Sequence, residues 1–360
     1  MICQHFGVCG GCKFQNIEYE QQTEIKEEMV RQLFGAVRPI IGCTNPWRWR
    51  NKMEFSFSQN KEGDRFLGLM MRAKRGRVVN LQECLLTSEW FIHTLEDVYA
   101  WWEESGLEAY FPPAGRGELR TLTLREGIHT GEKMAVLGVV GDVEIEGFKE
   151  AVGDIESVII RRQYAQKGVP TYFKEEVVHG VDHIHEKLFD YCFKVRAASF
   201  FQPNTRQAEV LYKTALQELG DVDLLLDLYC GIGSIGIIAC EKAKKVIGIE
   251  MVPEAVSAAR ENIALNGVNM ELIEGDVEQS LGGLAKPDCV ILDPPRAGLT
   301  KKCIEEVLRL GAKKIIYISC NPKSQKMNID SMEGYKIDLV QPVDQFPHTP
   351  HIENIVCLTR

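Results

Sequence analysis

From about residue 195 onward the sequence alternates short apolar runs with helix-length amphipathic segments, and this alternation constrains the chain more than any other feature. Helical spacing runs over Thr205–Leu219, Ser234–Lys242, Pro253–Asn266 and Lys301–Leu310. Strand-like runs occupy Leu224–Leu228, Lys245–Ile249, Met270–Ile273, Cys289–Leu292, Lys314–Ser319 and Ile337–Pro342. Strands alternating with helices of about 10–15 residues wind into a parallel sheet with helices on both faces. Short hydrophobic strands such as KKIIYIS suit that burial. The expectation is an α/β chain whose residues 195–360 form a Rossmann-like, doubly wound, mostly parallel domain. IENIVCLTR is expected as a C-terminal strand, antiparallel at the edge.

The first half reads differently. Glu20–Phe34 has helical spacing, with Ile25, Met29, Val30 and Leu33 as its apolar face. Met53–Ser58 alternates apolar and polar residues, and Phe66–Met71 follows a KEGD turn, so the two read as a hairpin. A helix over Glu89–Ser105 and strands at Leu119–Glu126, Lys133–Gly141 and Ser157–Gln163 complete an expected N-terminal α/β domain over 1–194. A length of 360 residues suits two domains.

At DLLLDLYCGIGSIGIIA a strand runs into Gly231-Ile232-Gly233 and then a helix. Glycines there let the backbone turn tightly and approach a ligand, and the helix N-terminus faces the ligand side. The next strand ends in Glu250, a carboxylate suited to two ribose hydroxyls. Asp276, after the strand MELIEG, is a candidate acceptor for an adenine amino group, or a plain turn residue. Gly231, Gly233 and Gly236 also satisfy the dinucleotide fingerprint, which keeps an NAD-dependent oxidoreductase in view. Asp227, on the strand before the loop, is unfavourable to a pyrophosphate. It is tolerable to the cationic sulfonium and ammonium of S-adenosylmethionine.

Two further strands end in chemistry. CVIL leads to Asp293-Pro294-Pro295-Arg296, and KKIIYIS to Ser319-Cys320-Asn321-Pro322. In an open α/β sheet ligands bind beyond the carboxyl ends of strands, so Asp293 and Cys320 are expected beside one crevice. A cysteine there is suited to conjugate addition at carbon 6 of a uracil. That addition makes carbon 5 nucleophilic enough to accept a methyl group. A base must then remove the C5 proton. PHTPHIENIV offers His348, His351 and Glu353, of which Glu353 is preferred.

Taken together, LLDLYCGIGSIG, ILDPPRAGL, YISCNP, FPHTPHIENI and the F-x-Q-x-N segment at Phe200, Gln202 and Asn204 resemble the bacterial RNA uracil-5-methyltransferase family, which modifies tRNA and 23S rRNA. The resemblance covers nearly the whole chain, with the motifs in the family's order. It implies Cys320 as nucleophile and Glu353 as base. It implies cofactor contacts from Gln202, Tyr229, Glu250 and Asp293. Ser234 stands where the family usually has asparagine, so the amide geometry is lost there.

Cys3, Cys9 and Cys12 form C-x5-C-x2-C, and Cys84 stands apart in LQECLL. Four thiolates can hold an iron–sulfur cluster or zinc, and the unequal spacing is poor for a zinc ribbon. The pattern resembles the rRNA-modifying branch, which implies a [4Fe–4S] cluster and favours 23S rRNA over tRNA. Family members with a small β-barrel RNA-binding domain carry it before these cysteines, and this sequence is expected to lack it. The net charge is −9, mildly against nucleic-acid binding. Between Pro46 and Asn80, however, nine basic residues (Arg48, Arg50, Lys52, Lys61, Arg65, Arg72, Lys74, Arg75, Arg77) face three acidic ones. RNA contacts are therefore expected from this segment and from Gly115–Arg125, with Trp47, Trp49, Phe55 and Phe57 as stacking candidates or hairpin core. No apolar run spans a membrane and no signal peptide is visible. A cytoplasmic monomer with no membrane partner is expected. A catalytically inactive RNA-binding protein is the non-enzyme alternative.

Overall fold

The computed structural model describes residues 1–74, 76–165 and 169–360; Arg75, one of the nine basic residues, lies outside them. The elements in chain order are α1 (Tyr19–Phe34), β1 (Lys52–Gln59), β2 (Arg65–Met70), β3 (Val78–Asn80), α2 (Glu89–Glu104), β4 (Leu119–Glu126), β5 (Lys133–Val140), α3 (Phe148–Val152), β6 (Ser157–Tyr164), β7 (Tyr172–Gly180), β8 (His183–Leu188) and β9 (Tyr191–Arg196). There follow α4 (Thr205–Gln217), β10 (Val222–Leu228), α5 (Ser234–Ala239), β11 (Ala243–Glu250), α6 (Pro253–Asn266), β12 (Met270–Glu274), α7 (Val277–Ser280), β13 (Cys289–Leu292), α8 (Lys301–Leu310), β14 (Lys314–Ser319), α9 (Pro322–Asp330), β15 (Lys336–Val343) and β16 (Glu353–Thr359).

The chain divides into two compact units, one of Met1–Asn16 with Asn45–Glu186 and one of Ile17–Thr44 with Lys187–Arg360. This differs from the expected division at 194/195. The later boundary moves only slightly, but residues 17–44, expected in the N-terminal domain, belong to the second unit. The reason lies in what α1 buries. Val30 is fully buried in that unit's core beside Leu228, Ile249, Leu292 and Tyr317. The other buried residues of the helix are Gln22 and Lys26. Ile25 and Met29, assigned to the apolar face, are each 40% exposed.

In the first unit the strands stand in the order β3-β2-β1-β4-β5-β6-β7. Neighbours are antiparallel except β5 and β6. The expected hairpin is β1–β2. Phe55, Phe57 and Trp49 are buried, so the hairpin core claims both phenylalanines, and Trp49 is withdrawn as a stacking candidate. Trp47 keeps a partly open surface.

In the second unit the order is β12-β11-β10-β13-β14-β16-β15. The first five strands are mutually parallel, and β16 runs antiparallel to both β14 and β15. This is the expected Rossmann-like sheet with one correction: β15, not the C-terminal strand, forms the edge. Six consecutive residues of β16, Glu353 to Leu358, are buried, and a strand buried in that way needs a neighbour on each side. Among the described residues no helix is long and apolar enough to cross a membrane.

Candidate active site

The strand order reverses between β10 and β13, and such a switch point opens a crevice beyond the carboxyl ends of the strands. After β10 the chain turns through Tyr229 (φ 64°), Gly231 (φ 57°) and Gly233 (φ 86°). A tyrosine in the left-handed region costs about 1–2 kcal/mol, a strain typical of functional turns. Its hydroxyl lies 3.3 Å from Cys303 Sγ. Ser234 begins α5 immediately after this turn.

Beneath the loop, Asp227 is 1% exposed. Neither carboxylate oxygen has a hydrogen-bond partner in ordinary geometry, and the Gly236 N–H is the donor that faces it. Burial, then the charge of Asp293, push this carboxyl up to about 7. A Cβ on Gly236 would stand 2.7 Å from Asp227 Oδ2 and 2.6 Å from Met270 Cε. That glycine is therefore explained by packing around the aspartate rather than by a pyrophosphate. Glu250 Oε2 accepts the Gly231 N–H at 3.0 Å, and Oε1 accepts those of Met251 and Val252 at 2.8 and 2.9 Å. The acid ending β11 is thus locked to the glycine loop. Asp276 caps α7, its Oδ1 accepting the Glu278 N–H at 2.7 Å, the plainer of its two expected roles.

Across the switch point, the loops after β13 and β14 are tied together. Asn321 Nδ2 and Ser324 Oγ both donate to the carbonyl of Arg296, at 3.0 and 3.2 Å. Ser319 pairs with Asn354, which sets half-buried Cys320 and buried Glu353 at the same end of β14 and β16. Burial pushes the Cys320 thiol up to about 11; the charges of Glu353 and Asp293 add to this, and the Arg296 guanidinium opposes it. Glu353, 4% exposed, is held well above the usual carboxylate range by burial and by Asp293, again against Arg296. Burial pushes Asp293 up to about 7. His351 Nδ1 lies 3.4 Å from Arg296 Nη1.

The buried Gln202 reaches the same place. Its Oε1 accepts from Gln345 Nε2 at 3.4 Å, and it hydrogen-bonds the Tyr212 hydroxyl. Burial raises Tyr212 well above its ordinary range, and the charges of Asp293, Glu353 and Asp227 act on it as well. Hydrogen bonds and mutual charges thus link Cys320, Glu353, Asp293, Asp227 and Gln202 at the carboxyl end of the sheet. The structure adds Tyr212, Arg296 and Gln345, which sequence reasoning left without roles. Arg296 lies within the ILDPPRAGL motif. Tyr212 is a mid-helix residue with no motif to mark it.

In the first unit, Cys3, Cys9 and Cys12 each lie within electrostatic reach of Cys84. Each of those three sulfurs accepts an N–H: Cys3 from His5 at 3.4 Å, Cys9 from Gly11 at 3.3 Å, and Cys12 from Gln15 Nε2 at 3.2 Å. Burial pushes Cys3 up to about 11 and Cys12 up to about 12. Yet among the described residues no group of three or more His, Cys, Asp or Glu side chains stands in metal-holding geometry. The expected assembled four-thiolate site is not formed by these side chains, whose sulfurs are held by hydrogen bonds instead.

Residues 148–279 and 284–360 match the profile of the tRNA (Uracil-5-)-methyltransferase family. An uncharacterized RNA methyltransferase of Protochlamydia amoebophila is 43% identical over 402 aligned residues, covering 99% of this chain and 90% of that protein. The chain belongs to the tRNA (uracil-5-)-methyltransferase family. An uncharacterized RNA methyltransferase of Chlamydia trachomatis is 37% identical, covering 99% of this chain and 98% of that protein. The Pyrococcus abyssi tRNA (uracil-54, C5)-methyltransferase, solved with S-adenosyl-L-homocysteine, superposes with a TM-score of 0.85 at 27% identity, over 98% of this chain and 86% of that one. This methyltransferase therefore has the fold expected of an RNA uracil-5-methylating enzyme, and the dehydrogenase reading is set aside.

Proposed function

We propose that this enzyme transfers a methyl group from S-adenosylmethionine to carbon 5 of a uridine in RNA through a covalent bond between Cys320 and carbon 6 of the base. The observation that carries the reading is the pairing of Ser319 with Asn354, which sets a thiol and a carboxyl at one strand end beside Asp293. The residues fit the cofactor. The deeply buried carboxylate of Asp227, faced by a single backbone N–H and by no cation, suits a cationic ligand and repels a pyrophosphate. Gly231 and Gly233 leave the backbone open to a ligand, with Glu250 fixed behind them. Gln202, Tyr229, Ser234, Glu250, Asp276 and Asp293 are the proposed contacts. S-adenosylmethionine, when bound, supplies the electrophilic methyl group.

The chain supplies the rest. Cys320, its proton given up to solvent, adds through Sγ to carbon 6, and the electrons displaced make carbon 5 an enolate carbon that would take the methyl group as the bond from that methyl to the sulfonium sulfur breaks. Glu353 then removes the proton of carbon 5. The C5–C6 double bond re-forms and the C6–S bond breaks, returning the thiolate. A base with a raised pKa is well matched to neutral-pH proton transfer. Arg296 opposes the two carboxylates that disfavour the thiolate. Phe200 is 71% exposed beside Gln202, an open aromatic face for a nucleobase.

RNA binding by the first unit has support in its sheet. Lys52 stands directly opposite Arg125 in the β1–β4 register, where like charges destabilise a ladder. Burial pushes Lys52 down to about 8, and Arg125, Arg161 and Arg50 press the same way against Glu54. A phosphate would relieve this crowding. The Gly115–Arg125 segment supports RNA less well, since Arg116 lines an open cleft with Glu108, Glu118, Asp142 and Glu144. The proposed [4Fe–4S] cluster on Cys3, Cys9, Cys12 and Cys84 rests on the cysteine pattern and on the N–H donors at three of the sulfurs, which suit thiolates, and needs the four side chains to regroup. Iron and sulfide in anaerobically purified protein would support it, and zinc alone would remove it.

The cysteine pattern favours 23S rRNA. The Pyrococcus abyssi relative, a tRNA enzyme, keeps tRNA as the second reading. Incubation with 5-fluorouridine-containing transcripts of each RNA and S-adenosylmethionine decides. One of them should form an adduct stable to denaturation, because fluorine at carbon 5 cannot leave as a proton. Absence of an adduct with both would defeat the covalent mechanism.

A further inference from the structure

We infer that the polar face of α1 clamps the connection between β15 and β16, making Lys26, Gln22 and Asp344 positioning residues for Glu353; this rests on the proposed reading of Glu353 as the base. Tyr19, Gln22 and Lys26 recur three and four residues apart and therefore lie on one helical face. Each grips the same short stretch of chain. Tyr19 donates its hydroxyl proton to Asp344 Oδ2 at 2.9 Å. Lys26 Nζ donates to Asp344 Oδ1 at 2.5 Å and to the Phe346 carbonyl at 3.0 Å. The His348 N–H donates to Gln22 Oε1 at 3.0 Å, and Gln22 Nε2 lies 3.1 Å from His348 Nδ1. Both charged side chains of the ion pair are 0% exposed.

An ion pair buried this deeply is a poor device for stability alone, because well-packed apolar residues of similar volume often do as well or better. Its better-attested use is to select one arrangement among several. The arrangement selected here starts and ends at the site. Val343, immediately before Asp344, pairs with Glu353 across the β15–β16 ladder. The connection between them carries His348 at φ 64°, a conformation that the surroundings must impose. Between the clamped residues, Gln345 Nε2 donates to the Asn204 carbonyl at 3.1 Å and to Gln202 Oε1 at 3.4 Å. A loop released from α1 would free both the hairpin end that presents Glu353 and the glutamine beside it.

The test separates methyl transfer from release of the enzyme. Full-length Asp344→Asn and Gln22→Ala variants are mixed with stoichiometric target RNA and labelled S-adenosylmethionine, and Glu353→Gln serves as reference. Two rates are read: appearance of label in RNA, and decay of the denaturation-resistant protein–RNA adduct. The expected result is adduct decay slowed by about tenfold or more, as for a misplaced catalytic group, with methyl transfer reduced by less than about threefold. A merely structural role lowers both rates by one factor, and that outcome, or no change in either, overturns the inference. Gln22→Ala leaves the ion pair intact and serves if Asp344→Asn does not fold. If Glu353→Gln itself builds up no adduct, the base assignment fails and the inference with it. If that reference accumulates adduct while the clamp variants do not, the clamp alone fails.

Discussion

The second unit buries ionisable groups in two places and treats them in opposite ways. Where α1 meets the β15–β16 connection, Lys26 and Asp344 are fully buried and satisfy each other. At the ends of β10, β13 and β16, Asp227, Asp293 and Glu353 are gathered, and among the described residues Arg296 is the cation whose charge acts there, on Glu353. Desolvation penalises both regions equally in kind. The first offsets it within the chain and so needs nothing more. The second leaves it standing, and a cationic ligand would lower it. The difference separates a buried charge that organises structure from one that waits for a partner.

The largest expected effect lies in the waiting region. Cys320→Ala should lower methylation by roughly 10⁴-fold or more while leaving unfolding by urea nearly unchanged, as measured by label incorporation and circular dichroism. A large loss of stability instead would make Cys320 part of the core and blur the contrast. Next comes the satisfied pair. Lys26→Met strands a buried carboxylate and should cost about 3–5 kcal/mol of stability, whereas Lys26→Met with Asp344→Leu should recover most of it. Urea midpoints of the single and double variants decide, and equal losses would show that the pair is not a unit.

Asp227→Asn should do the reverse of Lys26→Met. Removing a carboxylate that the fold disfavours should raise the apo stability near pH 7 by about 1 kcal/mol, yet weaken S-adenosylmethionine binding about tenfold. Calorimetry measures both, and unweakened binding would end the view of Asp227 as a cation subsite. The smallest effect is a pH dependence. Asp227 and Asp293 are raised from 3.8 to about 7 in the fold. The unfolded chain releases those protons first, so the stability tied to the raised values is full below about pH 4 and is lost as pH rises through about 7. The apo melting temperature should therefore fall between pH 5 and 8, by a few degrees. Affinity for the cationic cofactor should rise a few-fold over the same interval. Matching slopes with and without cofactor would contradict the contrast.

How much of this was legible in the sequence follows the same division. The parallel sheet, its helices and the residues at its strand ends were readable because each rests on local periodicity and on the rule that ligands gather beyond strand C-termini. That Cys320 and Glu353 meet was expected from the need for a base and from motif resemblance, not from periodicity, since their meeting depends on β16 inserting between β14 and β15. The helix α1 was visible, but its buried face was misread. Ile25 and Met29 outweighed Lys26 in any hydrophobic pattern, and the partner that makes Lys26 a core residue lies 318 positions away. Of the two readings open for Trp49, its burial favours core over stacking. The four cysteines show the limit of spacing, since a motif in sequence does not by itself fix a metal-holding geometry.

That separation of 318 positions also sets an order of events. During synthesis α1 emerges early, and Asp344, which its lysine ends up holding, emerges very late. Until then Lys26 must stay in water, for it has nothing to neutralise it and no reason to be buried. Closing so long a loop is entropically slow, and domains made early tend to fold before later ones arrive. The first unit, interrupted only by the short excursion through residues 17–44, can be complete while the helix is still unplaced. Nascent chains stalled short of Asp344 should thus carry a folded first unit and a protease-sensitive α1, with the enzyme becoming competent only as its last strands are docked.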